Sequence, residues 1–447
     1  MKVIIIGAGK LGYKLAEAMI KEDIDVTIID SNSKAIERIN DHLDLLTVNA
    51  NGLEVEVLKE LNISSYDYLF AVTDSDETNT IICSLAKKLG CVKTIARMRN
   101  PEYTEQLDFI KNEMGIDHIV NPDLATANEI SRYLVKRYNF YAGNFAKGKV
   151  QMVDININNL KDIIGKKIMD LKGIEGMLIV AISRDGSIII PNGNTKLMED
   201  DILYIIGQSK VINGLLNKTK LNGNKKSVKR VMIFGGGKIG YYLAKQLSEY
   251  NIKSVIVEQD RERCKYLTDK LDSSIIIYGD GTDINLLEEE DIELMDAFVG
   301  VSGFDEQNIL MCLMAKQYHV NKVIAKISRP SYSHVIEKMG IDLAINPVNI
   351  TVSDILKFIR GGKVVSVSLL LGEEAEVTEV IVDKDLDIVN KKISKLELPN
   401  GIIIGAIVSK GKVLIPDGDT IIQANDRLII FCLTKNIQAL DMFLVNK

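Results

Sequence analysis

The chain is poor in the residues that build metal centres and disulfide frameworks. It has four histidines, in no HExxH or closely spaced pair, and five cysteines (Cys83, Cys91, Cys264, Cys312, Cys432) with no CxxC among them. Neither zinc nor a disulfide framework is suggested by such spacings, and the cysteines read as small buried apolar groups in a reducing compartment. No stretch approaches the roughly 18 consecutive apolar residues of a membrane span, and Met1-Lys2 runs into a strand pattern instead of a signal peptide. Positive charge is not in excess either: 55 Lys and Arg against 61 Asp and Glu give a net charge of −6. That balance argues against a nucleic-acid partner held through its backbone. The expectation is a cytoplasmic chain with several cores.

What is present is present twice. Residues 3–12 read VIIIGAGKLG and residues 231–240 read VMIFGGGKIG, each an apolar strand followed by GxGxxG. A carboxylate ends the next apolar run in each copy, Asp30 after VTII and Glu258 after SVIV. The match continues at an offset of 229 through Asn51-Gly52 and Asp280-Gly281, Thr73 and Ser302, Asn79 and Asn308, Arg97 and Lys326, then at 225 from Pro122 and Pro347 onward. The chain is a tandem duplication, joined through the polar stretch 218–229.

Within each copy, short β-branched runs alternate with helical patterns over the first 120 or so residues, the rhythm of a parallel sheet covered on both faces. Six strands are expected in the first copy, at 2–6, 25–29, 45–49, 68–73, 94–97 and 118–120, followed by a helix over 125–138. The remainder reads as a small α+β module with four strands and turns at Asp185-Gly186 and Pro191-Asn192-Gly193. The fold class is therefore α/β: two tandem Rossmann-like parallel-sheet domains, each followed by a small α+β module. The boundaries fall at 1–125, 140–221, 228–348 and 365–447.

The repeated residues suit a dinucleotide or adenine nucleotide. Gly7 and Gly235 allow the strand-to-helix turn, Gly9 and Gly237 let a pyrophosphate approach the backbone, and Gly12 and Gly240 let the helix sit close on the strand. Asp30 and Glu258 can accept from ribose hydroxyls and repel a 2′-phosphate, or else merely cap their own turns. Asp280 can accept an adenine amino group, where Asn51 offers only a carbonyl, so the two sites differ. Thr73 and Ser302 are expected to end the fourth strand facing the cleft, and Arg97 and Lys326 the fifth, within reach of phosphates. The alternative for these four is bonding to their own loops. The acidic run Asp74-Ser75-Asp76-Glu77 reads as a helix N-cap with acids in the first turn, not a metal site. No nucleophile or acid/base pair recurs in both copies, which favours a sensor over an NAD-dependent oxidoreductase or a scaffold with degenerate pockets.

Strand-GAGKLG, Asp30, the Asn51-Gly52 turn, VTDSDETN (72–79), IARMRNPEY (95–103), GIDHIVNP (115–122), IGKKIMDL (164–171) and IIIPNGNTKLMEDDILYIIG (188–207) together resemble the regulator-of-potassium-conductance (RCK, or KTN) domain pair. The resemblance spans almost the whole chain. It implies a non-enzymatic regulatory protein, cytoplasmic and peripheral on the inner face of the cell membrane. Such a protein self-associates, most simply as a homotetramer, and docks on a separate membrane potassium-transporter pore subunit (TrkH-like). It also implies NAD(H), and often ATP or ADP, in the larger modules. Carried over, Gly7, Ala8, Gly9, Lys10, Leu11, Gly12, Asp30, Asn51, Gly52, Thr73 and Arg97 line the first pocket. Gly235, Gly236, Gly237, Lys238, Ile239, Gly240, Glu258, Asp280, Gly281, Ser302 and Lys326 line the second. Asn51, where the family commonly has an acid, and Lys326, in place of Arg, are the departures.

Overall fold

The structure is a computed structural model that describes residues 1–135, 143–171, 175–184, 187–218, 228–329, 339–360, 364–370, 375–399, 401–437 and 439–440. The Asp185-Gly186 turn, residues 136–138 of the expected helix and most of the polar joint lie outside them.

In the first repeat, β1 (Lys2–Ile6), β2 (Asp25–Asp30), β3 (Leu46–Asn49), β4 (Tyr68–Ala71), β5 (Lys93–Arg97) and β6 (His118–Val120) form one sheet in the order 3-2-1-4-5-6. Every pairing in it is parallel. Its helices are α1 (Lys10–Lys21), α2 (Ser33–Asn40), α3 (Val55–Glu60), α4 (Asp76–Lys88), α5 (Leu107–Met114) and α6 (Pro122–Val135). The second repeat has β12 (Arg230–Phe234), β13 (Lys253–Glu258), β14 (Ser274–Tyr278), β15 (Ala297–Gly300), β16 (Lys322–Lys326) and β17 (Leu343–Ile345) in the same order. With them come α8 (Lys238–Glu249), α9 (Arg261–Lys270), α10 (Ile284–Glu289), α11 (Asp305–Gln317) and α12 (Pro347–Arg360). The central strands β1, β4, β12 and β15 are buried at every position except Lys2 and Arg230 at their starts, because helices cover both faces. Strand order reverses between β1 and β4, which opens a crevice at the carboxyl ends of the strands.

The smaller modules are antiparallel. One contains β7 (Gly143–Phe145), β8 (Val150–Asn156), β9 (Met177–Arg184), β10 (Ser187–Ile189) and β11 (Ile202–Gln208), with α7 (Ser209–Lys218) after them. The other contains β18 (Val364–Leu370), β19 (Ala375–Ile381), β20 (Ile402–Ser409), β21 (Lys412–Leu414) and β22 (Arg427–Leu433). The sheet orders, β10-β9-β11-β8-β7 and β18-β19-β22-β20-β21, are the same topology. Five strands replace the four expected: the three-residue β7 is too short to show a period of two, and β18 follows closely on the C-terminus of α12. The two sheets pack face to face through Phe145, Val150, Val180 and Ile206 on one side and Val377, Ala406, Ile429 and Phe431 on the other. Fit is close at Gly405, where a Cβ would lie 2.9 Å from Ile206 Cγ2.

The repeats exchange their last Rossmann helix. Ala127, Ile130, Tyr133 and Leu134 of α6 are buried in the second repeat's core with Ile233, Ile239, Tyr242 and Leu243. Reciprocally, Val352, Ile355 and Leu356 of α12 are buried with Val3, Ile5, Leu11 and Leu15 of the first. Ile355→Ala should cost about 2–5 kcal/mol of stability, although the residue lies in the second repeat and its neighbours in the first. Urea denaturation of the full chain checks this, and a change near zero would mean that α12 is not seated there.

Lys322, at the start of β16, sits at the C-terminal end of the exchanged α6. Its ammonium donates to the Tyr133 carbonyl at 3.3 Å and lies 5.0 Å from the Tyr133 ring centroid. Burial pushes it down to about 8, against the pull of Asp342. The unfolded lysine holds its proton to about pH 10.4. Between these values the unfolded chain binds the extra proton, so this group makes stability rise with pH across that window. Denaturation at pH 8 and pH 10.5 should show a smaller rise in Lys322→Met than in the parent.

Candidate nucleotide-binding sites

The three glycines of each loop stand in different surroundings. Gly7 and Gly235 have φ of +113° and +108°, a region that favours glycine. A Cβ on Gly12 would stand 1.8 Å from the Gly7 carbonyl oxygen, and one on Gly240 2.2 Å from that of Gly235. Gly9 and Gly237 are different. Their φ of −69° and −61° suits any residue, and a Cβ there would meet nothing within 4 Å. Both are N-caps of 12-residue helices, and neither helix has a side-chain cap. The first N–H groups of α1 and α8 therefore face open space, with the positive end of each helix dipole behind them.

Asp30 and Glu258 stand beside these loops. Asp30 accepts from the Ala8 N–H (2.6 Å) and the Asn32 N–H (2.8 Å), and Glu258 from the Gly236 N–H (2.8 Å) and the Asp260 N–H (2.8 Å). Each carboxylate thus fixes its glycine loop and its own turn together, and each oxygen retains a lone pair for a further donor. Asn51 Oδ1 accepts from the Leu53 N–H at 3.1 Å; Asp280 Oδ1 accepts from the N–H (2.9 Å) and hydroxyl (2.8 Å) of Thr282, which hold its carboxyl below the usual range. Gly52 and Gly281 follow them because a Cβ would lie 2.4 Å from Ile6 Cγ2 and Phe234 Cδ2 respectively.

Two arginines at this edge were missed. Arg38 donates to the Ala8 carbonyl at 3.0 Å, and Arg263 to those of Gly236 at 2.7 Å and Gly237 at 3.1 Å. The repeat offset aligns Arg38 with Leu267 and Arg263 with Lys34, so comparison of the repeats hides them. Both approach the same loop from helices that follow the acid strand.

The other rim is built by Asn79 and Asn308, both fully buried. Asn79 Oδ1 accepts from the N–H (2.9 Å) and hydroxyl (2.7 Å) of Thr73, while its amide donates to the carbonyls of Thr73 (3.2 Å) and Arg97 (2.9 Å). Asn308 joins Ser302 and Lys326 in the same way. The fourth strands stop at Ala71 and Gly300, so Thr73 and Ser302 lie beyond them; the Thr73 hydroxyl is taken by Asn79 of α4, and that of Ser302 bonds to Phe304 within its own turn. Arg97 reaches across to the Thr73 carbonyl (2.9 Å) and Asp74 (3.3 Å), and Lys326 to the Ser302 carbonyl (2.6 Å). Arg97 Nε is buried with no hydrogen-bond partner among the described residues.

The acidic run is a helix start. Ser75 accepts from the Thr78 N–H at 3.1 Å, and Asp76 accepts from the N–H groups of Arg99 (2.8 Å) and Asn100 (2.7 Å). Among the described residues no three His, Cys, Asp or Glu side chains are grouped to hold a metal.

The two repeats meet close to the ends of their fifth strands. Burial lowers the Lys326 ammonium from its ordinary range, and Lys10 and Arg99 of the first repeat act in the same direction. The Tyr103 hydroxyl holds Glu77 below the usual carboxylate range, and Lys238 of the second loop assists. Tyr242 of α8 donates to the Arg99 carbonyl at 3.3 Å and accepts from Asn121 Nδ2 at 3.1 Å.

Comparison with known proteins accords with this architecture. The TrkA-N domain model matches residues 3–122 and 231–347, and the TrkA-C domain model residues 152–220 and 377–445. The chain is 36% identical to Trk system potassium uptake protein TrkA homolog 1 of Methanosarcina mazei, over 96% of this chain and 97% of that protein. The chain belongs to the TrkA family. TrkA of Vibrio alginolyticus is 33% identical, with 97% and 96% covered. Among solved structures, the GsuK RCK domain superposes with a TM-score of 0.58 at 18% identity, covering 99% of this chain and 94% of that one. The GsuK channel bound to NAD gives 0.59 at 17%, covering 99% and 78%. These likenesses show the fold, and the RCK resemblance read from the sequence holds over the whole TrkA-family chain.

The glycine geometry separates folding from ligand space. Gly9→Val should leave the fold standing, within about 1 kcal/mol for an altered N-cap, whereas Gly12→Val should abolish cooperative unfolding. Thermal melts distinguish them; equal damage from both would contradict the open environment of Gly9.

Proposed function

We infer that this TrkA-family chain is a nucleotide-sensing regulatory subunit of potassium uptake. The observation that carries the reading is the pair of uncapped helix N-termini at Gly9 and Gly237, each flanked by cations. Uncapped N–H groups and a helix dipole bind an anion, and the loop geometry suits a pyrophosphate. NAD(H) fits best: Asp30 and Glu258 can accept ribose hydroxyls and disfavour a 2′-phosphate. ADP or ATP would use the same loop and acid. The relatives' names as potassium-uptake proteins support a transport role over an NAD-dependent oxidoreductase.

The helix exchange offers a route from binding to gating. The phosphate-binding helix α8 packs on α6, which leads to the first small module, and α1 packs on α12, which leads to the second. A nucleotide that pulls on α1 or α8 thereby biases the arrangement of all four modules. It shifts a gate only to the extent that it binds two arrangements with different affinity. The working unit is a homo-oligomer, most simply four chains, seated on a TrkH-like pore at the inner face of the membrane.

Calorimetry with NAD+, NADH, ADP and ATP should show binding, with Gly9→Val and Gly237→Val each deleting one site. Potassium uptake into liposomes that carry the cognate pore should then depend on the protein and on nucleotide ratios. Uptake indifferent to both would overturn the proposal, as would substrate-dependent NADH consumption at rates on the order of 1 s⁻¹.

A further inference from the structure

The two sites differ most at a turn that the repeat comparison pairs but does not preserve. After the fourth strand the first repeat reads Thr73-Asp74-Ser75, and the second Ser302-Gly303-Phe304. In the first, Ser75 caps α4 by accepting from the Thr78 N–H at 3.1 Å, and the exposed Asp74 carboxylate lies 3.3 Å from Arg97. In the second, Phe304 takes the N-cap position of α11, which has no side-chain cap. Its side chain is left out in solvent, the residue being 60% exposed. The chain thus forgoes a cap worth about 1 kcal/mol and exposes a large apolar ring in the same place. No ring contact or cation–π pair of Phe304 is found among the described residues. An exposed ring alone is ordinary; one that displaces a helix cap beside a candidate ligand site is not.

The turn is also held in place. Ser302 Oγ accepts from the Phe304 N–H at 3.2 Å, and its backbone is fastened by Asn308. A Cβ placed on Gly235 would come within 2.9 Å of Ser302 Cα, so the phosphate loop and the Phe304 turn adjoin. In a sheet of this order the adenosine half of a dinucleotide lies at the acid-strand side, by Glu258 and Asp280. Its pyrophosphate lies on the glycine loop, and its second nucleoside crosses to the fourth-strand side. A mononucleotide ends before reaching that side.

We propose that Phe304 is a specificity-determining residue that makes the second site a dinucleotide site, its ring packing against the nucleoside beyond the pyrophosphate. Gly303 serves the same end by leaving out the carboxylate that Asp74 places there in the first repeat, where it would oppose that nucleoside's phosphate. The first site, with Asp74 and Ser75, discriminates less between dinucleotide and mononucleotide. This inference rests on the nucleotide reading above.

The test uses the full chain carrying Gly9→Val, so that only the second site binds, with NADH and ADP as probes. Phe304→Ser should weaken NADH about tenfold, within the range for loss of base–aromatic stacking, and leave ADP unchanged. Phe304→Tyr should keep the parent's NADH affinity. The reciprocal change, Ser75→Phe in a Gly237→Val chain, should raise the NADH preference of the first site. An NADH-to-ADP affinity ratio unaltered by Phe304→Ser would overturn the proposal while leaving nucleotide binding intact. A chain without these changes that binds neither probe would overturn the nucleotide reading itself.

Discussion

The exchange of α6 and α12 is the constraint on which the rest of the molecule depends. Each Rossmann sheet needs a helix to cover the face beside β1 and α1, or β12 and α8, and each takes it from the other repeat. Neither larger module has a complete core without its partner, so the tandem chain is an internal dimer made obligatory by apolar burial. Because α6 and α12 also run toward the antiparallel modules, the same burial fixes where those modules emerge. Their sheets meet face to face, and bonds such as Lys149 Nζ to the Gly411 carbonyl (2.9 Å) and Gln208 Nε2 to the Val413 carbonyl (3.1 Å) tie their rims. Two repeats thus close on each other at both ends.

Within that frame the sites are assembled by polar groups that serve the fold first. Asp30 and Glu258 hold the glycine loops open, and Asn79 and Asn308 lock the ends of the fourth and fifth strands. Arg97 and Lys326 reach from the fifth-strand ends to the turns that follow the fourth. Such prior bonding does not compete with a ligand, since a carboxylate or carbonyl oxygen accepts more than one hydrogen bond. It pre-organises the rim, so a ligand need not supply the entropy of ordering it. Arg97 Nε and the first N–H groups of α1 and α8 are the donors left over.

Much of this was legible in the sequence, for identifiable reasons. Six parallel strands could be placed because β-branched runs between glycine and asparagine turns have few other solutions, and the loop glycines because their spacing reflects hard steric limits. The exchange was not legible: the apolar face of α6 says that it is buried, not in which sheet's core. Arg38 and Arg263 escaped because their helices deliver guanidinium groups from non-equivalent positions. Nor was it legible that Thr73 and Ser302 lie past the strand ends, since a sequence does not reveal that a buried asparagine six residues on claims the hydroxyl or backbone. The strands β7 and β18 are too short, or too close to a helix, to show a period of two.

Duplication also explains how the two sites came to differ without losing the fold. Positions that touch backbone, such as Gly12 and Gly240 or Asn79 and Asn308, admit no alternative and are the same in both repeats. Positions that face the crevice are free to diverge: Asn51 against Asp280, Asp74 against Gly303, Ser75 against Phe304, Arg97 against Lys326. The first repeat carries its extra carboxylate, Asp74, after the fourth strand, and the second carries its own, Asp280, after the third. Unequal sites joined by a pair of exchanged helices are not mechanically independent, because α1 and α8 each pack on a helix that the other repeat supplies and a displacement of either is felt there.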